Sequence, residues 1–239
     1  YYHFLAECLQ ASYLSYKNIR KSNSGMINIV ICKLKSFAKE YFEILFSNDP
    51  NVKIVELSEA EYIAADEVYY SPELLGFTTP QPCLLAERQN FKDVIIEKLN
   101  IETSRIPSKM IYISRKDTKA RKIQNEDELI ASLNELGVNI IELTGKSVKE
   151  QITIFSDAIL VIGGHGAGIS NSLFMSQSAV MLELIQASYQ NVGPMRLAQS
   201  SGAQYISMLF FKDGDGDSWY VDIERVCRFV KQYKQTKLS

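Results

Sequence analysis

The sequence predicts an α/β fold built on parallel, doubly wound sheets, and three observations carry that expectation. Short apolar runs alternate with segments of helical period along most of the chain, the signature of repeated β/α units. Two of the helical segments close on a glycine, Gly137 and Gly202, immediately before the next apolar run. Finally, the apolar run 158–162 enters Gly163-Gly164-His165-Gly166-Ala167-Gly168 and then Ile169-Ser170-Asn171-Ser172-Leu173-Phe174, which reads as a buried strand, a tight turn and a helix.

Taken in order, residues 1–17 form a helix, because Phe4, Leu5, Cys8, Leu9, Ser12 and Tyr13 recur at its spacing. His3 and Glu7 are four apart and share one of its faces. Ile27–Cys32 is a strand, 34–46 a helix, Val52–Leu57 a strand and 62–70 a further extended segment. The stretch 71–82, with Pro72, Gly76, Pro80 and Pro82, is a linker or a cleft-lining loop. Beyond it come helix 91–99 and, after Pro107, strand 110–114. Then follow helix 126–136, strand 138–143, helix 148–155, strand 158–162, helix 170–175, strand 180–185, helix 194–200 and strand 205–210. A last helix, 222–234, takes Asp222 as its N-cap. The expected domains are 1–86, an acceptor-side α/β domain; 87–218, a Rossmann-like domain; and 219–239, a helix packing back on the first.

Composition narrows the classes. A net charge of −2 argues against nucleic acid as the main partner, since a phosphate backbone is normally met with a basic excess. Cys8, Cys32, Cys83 and Cys227 lie far apart without a C-x-x-C pair, so reduced thiols are expected rather than a zinc site or a disulfide framework. No apolar run is long enough to span a membrane, and the first residues carry no signal-peptide pattern. The chain opens on Tyr1 without methionine, so an upstream segment is expected; membrane contact is left open.

The glycine turn is the place to look for chemistry. Unpaired N–H groups and the peptide dipoles at a helix start attract anions, and glycines let a ligand reach the backbone. Ile169 stands where G-x-G-x-x-G needs a third glycine, and neither a P-loop nor a G-x-S-x-G elbow occurs. A phosphate or diphosphate site and a close-packed structural turn therefore both remain. In a doubly wound sheet ligands sit at the carboxyl ends of strands, where Arg115, His165 and Glu183 are expected. Arg115 and Arg121 offer planar forks for phosphate oxygens, whereas Lys116, Lys119 and Lys122 read as solvated. Glu183 interrupts an apolar strand, so it either pairs with a basic side chain inside the fold or accepts ribose hydroxyls. Asp213, Asp215, Asp217 and Glu224 have calcium-loop spacing, but Ser218 takes the glycine position, and an acidic surface turn is the expectation.

The run SRKDTKARKIQNEDELIASLNELGVNIIELTGKSVKEQITIFSDAILVIGGHGAGISNSLFMSQSAVMLELI resembles the core of glycosyltransferase family 61. It shows an Arg-rich segment, an Asn-Glu helix start, a Gly-Val turn into a strand, a Glu-Gln helix, a His-Gly-Ala-Gly turn and a strand with a central glutamate. YYHFLAECL is similar to the family's histidine-led opening helix. The resemblance implies an inverting, nucleotide-sugar-dependent transferase of GT-B type, with two Rossmann-like domains facing a cleft. It implies Arg115, Arg121, Gly164, His165, Gly166, Ala167, Gly168 and Glu183 on the donor side, and His3 with Glu7 as the catalytic pair on the acceptor side. A first domain of 1–86 is short for a full member, which again suggests a truncated chain.

The expected reaction is a single displacement from a UDP-linked sugar to a hydroxyl of a glycan or polysaccharide, as in capsule or other surface polysaccharide synthesis. It needs no cofactor, and with no D-x-D at a strand tip no metal is expected. The composition suggests a cytoplasmic enzyme, peripheral at the inner membrane face if an upstream anchor exists. The alternatives are a non-catalytic nucleotide-sugar or glycan-binding module and a nucleotide-sugar epimerase.

Overall fold

Leu5, Leu9 and Tyr13 recur every fourth residue and are all buried, which makes the opening helix amphipathic. In the computed structural model its first turn is π-helical, Phe4–Cys8, and runs on into α1, Leu9–Arg20. The structure describes residues 1–69, 85–102, 106–118 and 120–238, apart from the side chains of 32, 85–88, 237 and 238. The expected linker 71–82, Cys83 and Lys119 lie outside the described residues.

The chain divides into two compact units, Tyr1–Ile101 with Ser147–Lys149, and Glu102–Lys146 with Glu150–Ser239. In the first, β1 (Ile27–Cys32), α2 (Ser36–Phe46) and β2 (Val52–Leu57) make one β-α-β unit, the strands parallel from Ile27↔Val52 to Cys32↔Leu57. Tyr41, Phe42, Leu45 and Phe46 of α2 are buried, as are Phe91 and Ile95 of α3 (Leu85–Lys98). Among the described residues this sheet has two strands rather than the doubly wound set expected of a Rossmann-like domain. Residues 62–69 form no strand, and Tyr62 and Val68 are 91% and 77% exposed: extended chain becomes sheet only where a neighbouring strand completes its hydrogen bonds. The boundary expected after residue 86 falls inside α3. That helix belongs to the first unit because Phe91 sets its ring against Tyr13, centroids 5.8 Å apart.

The second unit holds five parallel strands in the order β4-β3-β5-β6-β7. They are β3 (Lys109–Ile113), β4 (Asn139–Ile141), β5 (Ala158–Gly164), β6 (Val180–Gln186) and β7 (Gln204–Phe210). Alternate residues leave opposite faces of a pleated strand. On one face Leu160, Ile162, Leu182 and Leu184 pack with Leu129 and Leu133 of α4 (Glu126–Glu135) and Val226 and Val230 of α7 (Ile223–Leu238). On the other, Ile111, Val161 and Met181 pack with Phe155 of α5 (Val148–Ser156) and Ala198 of α6 (Gly193–Ser201). This is a three-layer α/β sandwich whose chain order reverses between β3 and β5.

Two expectations change here. The segment after the glycine turn is a 3-10 helix, Ala167–Phe174, rather than an α-helix. It carries the whole crossover from β5 to β6, and the larger rise of a 3-10 helix spans more distance per residue. The last helix does not belong to the first unit: Tyr233 Oη donates to the Ile159 carbonyl and Lys234 Nζ to that of Leu136, both at 3.0 Å, within the second. Asp222 does cap it, accepting from the Arg225 N–H at 3.0 Å. Upstream of that cap a short ladder ties 122–125 to 219–221. Trp219 N donates to Lys122 O, Gln124 N to Trp219 O, and Asn125 exchanges two bonds with the Val221 backbone.

Candidate functional site

The reversal of strand order between β3 and β5 opens a crevice at their carboxyl ends, where ligands of such sheets bind. Chain leaving β3 places Arg115 there, and chain leaving β5 places the glycine turn. The Arg115 N–H donates to Glu126 Oε1 at 2.7 Å, and the same oxygen accepts from Tyr112 Oη at 2.9 Å and Ser114 Oγ at 3.1 Å. That buried carboxylate is thus occupied by a backbone amide and two hydroxyls. It fixes the strand end through that amide and those hydroxyls, with no hydrogen bond to the guanidinium among these contacts.

The Arg115 side chain lies across the turn. Its Nη2 donates to the Ala120 carbonyl at 2.8 Å, and Nη1 sits where a Cβ on Gly166 would fall, 1.9 Å away. A Cβ on Gly164 would come within 2.8 Å of its Cδ. Gly163 serves packing instead, since a Cβ there would lie 2.5 Å from Ile169. None of these glycines has a left-handed φ, so what the turn needs is space. Of the two readings the glycines allowed, the close-packed turn is what these contacts show, with an arginine as the packed group.

Arg115 is 7% exposed, and burial first, then the charge of Arg121, lowers its pKa from the ordinary value. The Nε atoms of both arginines are buried without a hydrogen-bond partner among the described residues. Two neighbouring guanidinium groups with unmet donors have hydrogen bonds and positive charge left to offer. Arg121 is held by its N–H to Asp217 Oδ2 at 2.9 Å and by its carbonyl to Trp219 Nε1 at 3.2 Å. Its guanidinium lies 4.4 Å from the centroid of Tyr189, whose ring is 5.3 Å from that of His165.

His165 and Glu183 are buried, at 8% and 0% exposure. Nδ1 of His165 meets Glu183 Oε1 at 2.5 Å, while Oε2 accepts from Tyr205 Oη at 2.5 Å. Of the two alternatives for Glu183 the fold takes the inner one. Both of its oxygens are engaged and it has no exposed surface, so it reaches a ligand only through His165, and the ribose-contact alternative is set aside. Imidazole held this way can take a proton on its other nitrogen or, once charged, donate to an anion. Ala167 and Gly168 begin the 3-10 helix, with Gly168 packed against Leu143 and Ile113.

The expected acceptor-side pair also forms, within the first unit. His3 Nδ1 lies 3.1 Å from Glu7 Oε2, with the imidazole 61% exposed and the carboxylate 12%. Lys116 pairs with Asp127 and Lys122 is exposed. Among the described residues no group of three or more His, Cys, Asp or Glu could hold a metal ion. The acidic turn has structural work: Asp213 accepts from Gln186 and Ser188, and Asp217 from Arg121. No helix among the described residues is long and apolar enough to cross a membrane.

Three contributors escaped the sequence. Tyr189 lies just past the carboxyl end of β6, so the rule that found Arg115 would have found it. Glu126 was masked by its position in the first turn of a helix, where an acid is ordinary. Tyr205 gives no signal, because its meeting with Glu183 depends on the β6–β7 register, Met181↔Tyr205.

Comparison with known proteins gives the chain a family. A family model described as Glycosyltransferase 61 matches residues 1–182, and the chain belongs to that family. It is 30% identical over 124 residues to the EGF domain-specific O-linked N-acetylglucosamine transferase of Gallus gallus, covering 49% of this chain and 23% of that protein. It is 32% identical over 78 residues to the beta-1,2-xylosyltransferase XAX1 of Oryza sativa subsp. japonica, 32% of this chain and 13% of that one. A beta-1,2-xylosyltransferase of Arabidopsis thaliana is 26% identical over 121 residues, 41% and 23% respectively. The chain thus spans less than a quarter of the length of these relatives.

One substitution isolates the arginine from the fold. Gly166 has extended backbone, φ 168, that any residue adopts, so alanine there adds no strain but collides with Arg115 Nη1. On the UDP-sugar donor reading proposed below, Gly166→Ala should weaken UDP binding roughly tenfold or more, the worth of a charge-assisted hydrogen bond. Calorimetry reads the affinity, and an unchanged thermal midpoint shows that the fold is intact.

Proposed function

We propose that the chain is the donor-binding and catalytic part of an inverting glycosyltransferase that moves a sugar from a UDP-linked donor to a hydroxyl of a glycan or polysaccharide. The observation that carries this reading is the buried Arg115 guanidinium lying against the glycine turn, with half-buried Arg121 on the Tyr189 ring beside His165 and the Nε of both arginines without a partner among the described residues. A nucleoside diphosphate supplies what they lack: adjacent negative charge and several acceptor oxygens. Family membership narrows the anion to an activated sugar, and the names of the relatives agree with a hydroxyl acceptor.

In the proposed step the acceptor oxygen bonds to the anomeric carbon as the bond from that carbon to the diphosphate oxygen breaks, its electron pair leaving with the diphosphate. Arg115 and Arg121 stabilise the charge that grows there. His3, oriented by Glu7, takes the acceptor proton, which a GT-B arrangement of the two units would allow. No metal is required by this scheme, because the guanidinium groups do the work of the cation.

The test is nucleotide release from a panel of UDP-, GDP- and CMP-sugars, with and without sugar acceptors. Acceptor-dependent release of UDP supports the proposal. Affinity without any release makes the chain a binding module, and donor conversion without acceptor makes it an epimerase. His3→Ala should leave UDP-sugar affinity within about twofold while lowering transfer by on the order of 100-fold or more, the span of general base catalysis. Transfer by His3→Ala at the wild-type rate would remove the base assignment.

A further inference from the structure

Glu183 is a carboxylate on a strand with no exposed residue, and the apolar side chains Val161 and Met181 share its face. Such a group is stable only if each oxygen has a donor. The two donors come from the two neighbouring strands: His165 at the end of β5 and Tyr205 near the start of β7. Three adjacent strands thus contribute one residue each to a single chain of hydrogen bonds, both contacts at 2.5 Å, which for the phenol is the length of a charge-assisted O–H···O bond.

The direction of these bonds follows from the phenol. Burial, followed by the bond to Glu183, pushes the Tyr205 pKa far above its ordinary value, so its proton stays on the phenol oxygen. Glu183 Oε2 is then an acceptor, and the pairing of Oε1 with the ring has the geometry of the common carboxylate–histidine contact, in which the Nδ1–H donates. The shared hydrogen of the other bond accordingly sits on Nδ1, which leaves the second imidazole nitrogen to face chemistry.

We propose that Tyr205 is a positioning residue for the reaction: by holding Glu183 in one orientation it fixes His165 as the Nδ1–H tautomer. The role rests on the transferase reading only for its consequence in turnover; the tautomer itself can be read without any substrate. Without the phenol the carboxylate keeps a lone pair unmet and is free to turn away from the imidazole. The ring then samples the other tautomer, and the nitrogen beside the anion site is no longer of one kind.

The test is Tyr205→Phe, which removes one oxygen and keeps the ring. The chain has only two histidines, so nitrogen-15 spectra of histidine-labelled protein resolve His165, assigned by its disappearance in His165→Gln. Wild type should show a single Nδ1–H tautomer, and Tyr205→Phe a mixture in protein that still melts cooperatively, its midpoint lowered by the lost donor to Glu183. In the transfer assay kcat should fall about tenfold, the usual scale for an outer residue that orients a reacting group, with KM for donor unmoved. A single unaltered tautomer in Tyr205→Phe overturns the proposal, as does a shifted tautomer with wild-type kcat. Should the tautomer shift while even wild type transfers no sugar, the orienting role stands and the transferase reading falls.

Discussion

Arg115→Ala should abolish measurable sugar transfer while leaving the protein folded. The guanidinium lies against the glycine turn with Nε unpartnered and its positive charge made costly first by burial and then by Arg121. An anion repays that cost only when it arrives, and most fully when the leaving diphosphate gains charge. Removing one such donor from a preorganised site costs roughly 3–4 kcal/mol of transition-state stabilisation, a factor of about 100 to 1,000 in kcat. Folding should not suffer in proportion, because truncation also relieves the repulsion between the two arginines. Arg115→Lys should recover little, since a point charge does not reproduce a planar fork. Kinetics of nucleotide release with a thermal-melt control decide it, and a wild-type rate in Arg115→Ala defeats the assignment.

The second large effect belongs to His165. His165→Gln should lower kcat roughly 10- to 100-fold, the worth of a charge-assisted hydrogen bond from the ring to the leaving diphosphate, with a smaller change in donor KM. The amide can still donate to Glu183, which keeps the carboxylate satisfied, but it carries no charge. His165→Ala removes that donor as well and leaves Glu183 with Tyr205 alone, so it should also lower the melting temperature. Equal kcat in wild type and His165→Gln would show that the imidazole serves only as a hydrogen-bond post.

Much of this site was legible in the sequence, for a physical reason: strand ends and glycine turns are local signals, and the rule for ligand position in doubly wound sheets needs only their order. Arg115 and His165 could be assigned to one crevice before any coordinates, and the His3–Glu7 contact from helical spacing alone. What stayed hidden depended on neighbours distant in sequence. Glu183 reads equally well as a ligand contact or an inner ion pair until Tyr205 is known to lie across from it. That the first unit's sheet has two strands among the described residues was not legible, because alternation reports which segments are strands, not how many find partners. A helix was legible after the glycine turn but its 3-10 pitch was not, because polar Ser170, Asn171 and Ser172 are buried together with Ile169, Leu173 and Phe174, so no polar face marked the period.

The ladder between 122–125 and 219–221 has a consequence for how this family member can vary. Arg121 stands directly before a segment clamped by Trp219 and Val221, so its reach toward Tyr189 and the turn is set by chain length as much as by chemistry. An inserted residue between Arg121 and Asn125 would swing the cation off its mark even if every side chain were kept. Indels are therefore expected to be excluded there and admitted only upstream, around Lys116–Thr118.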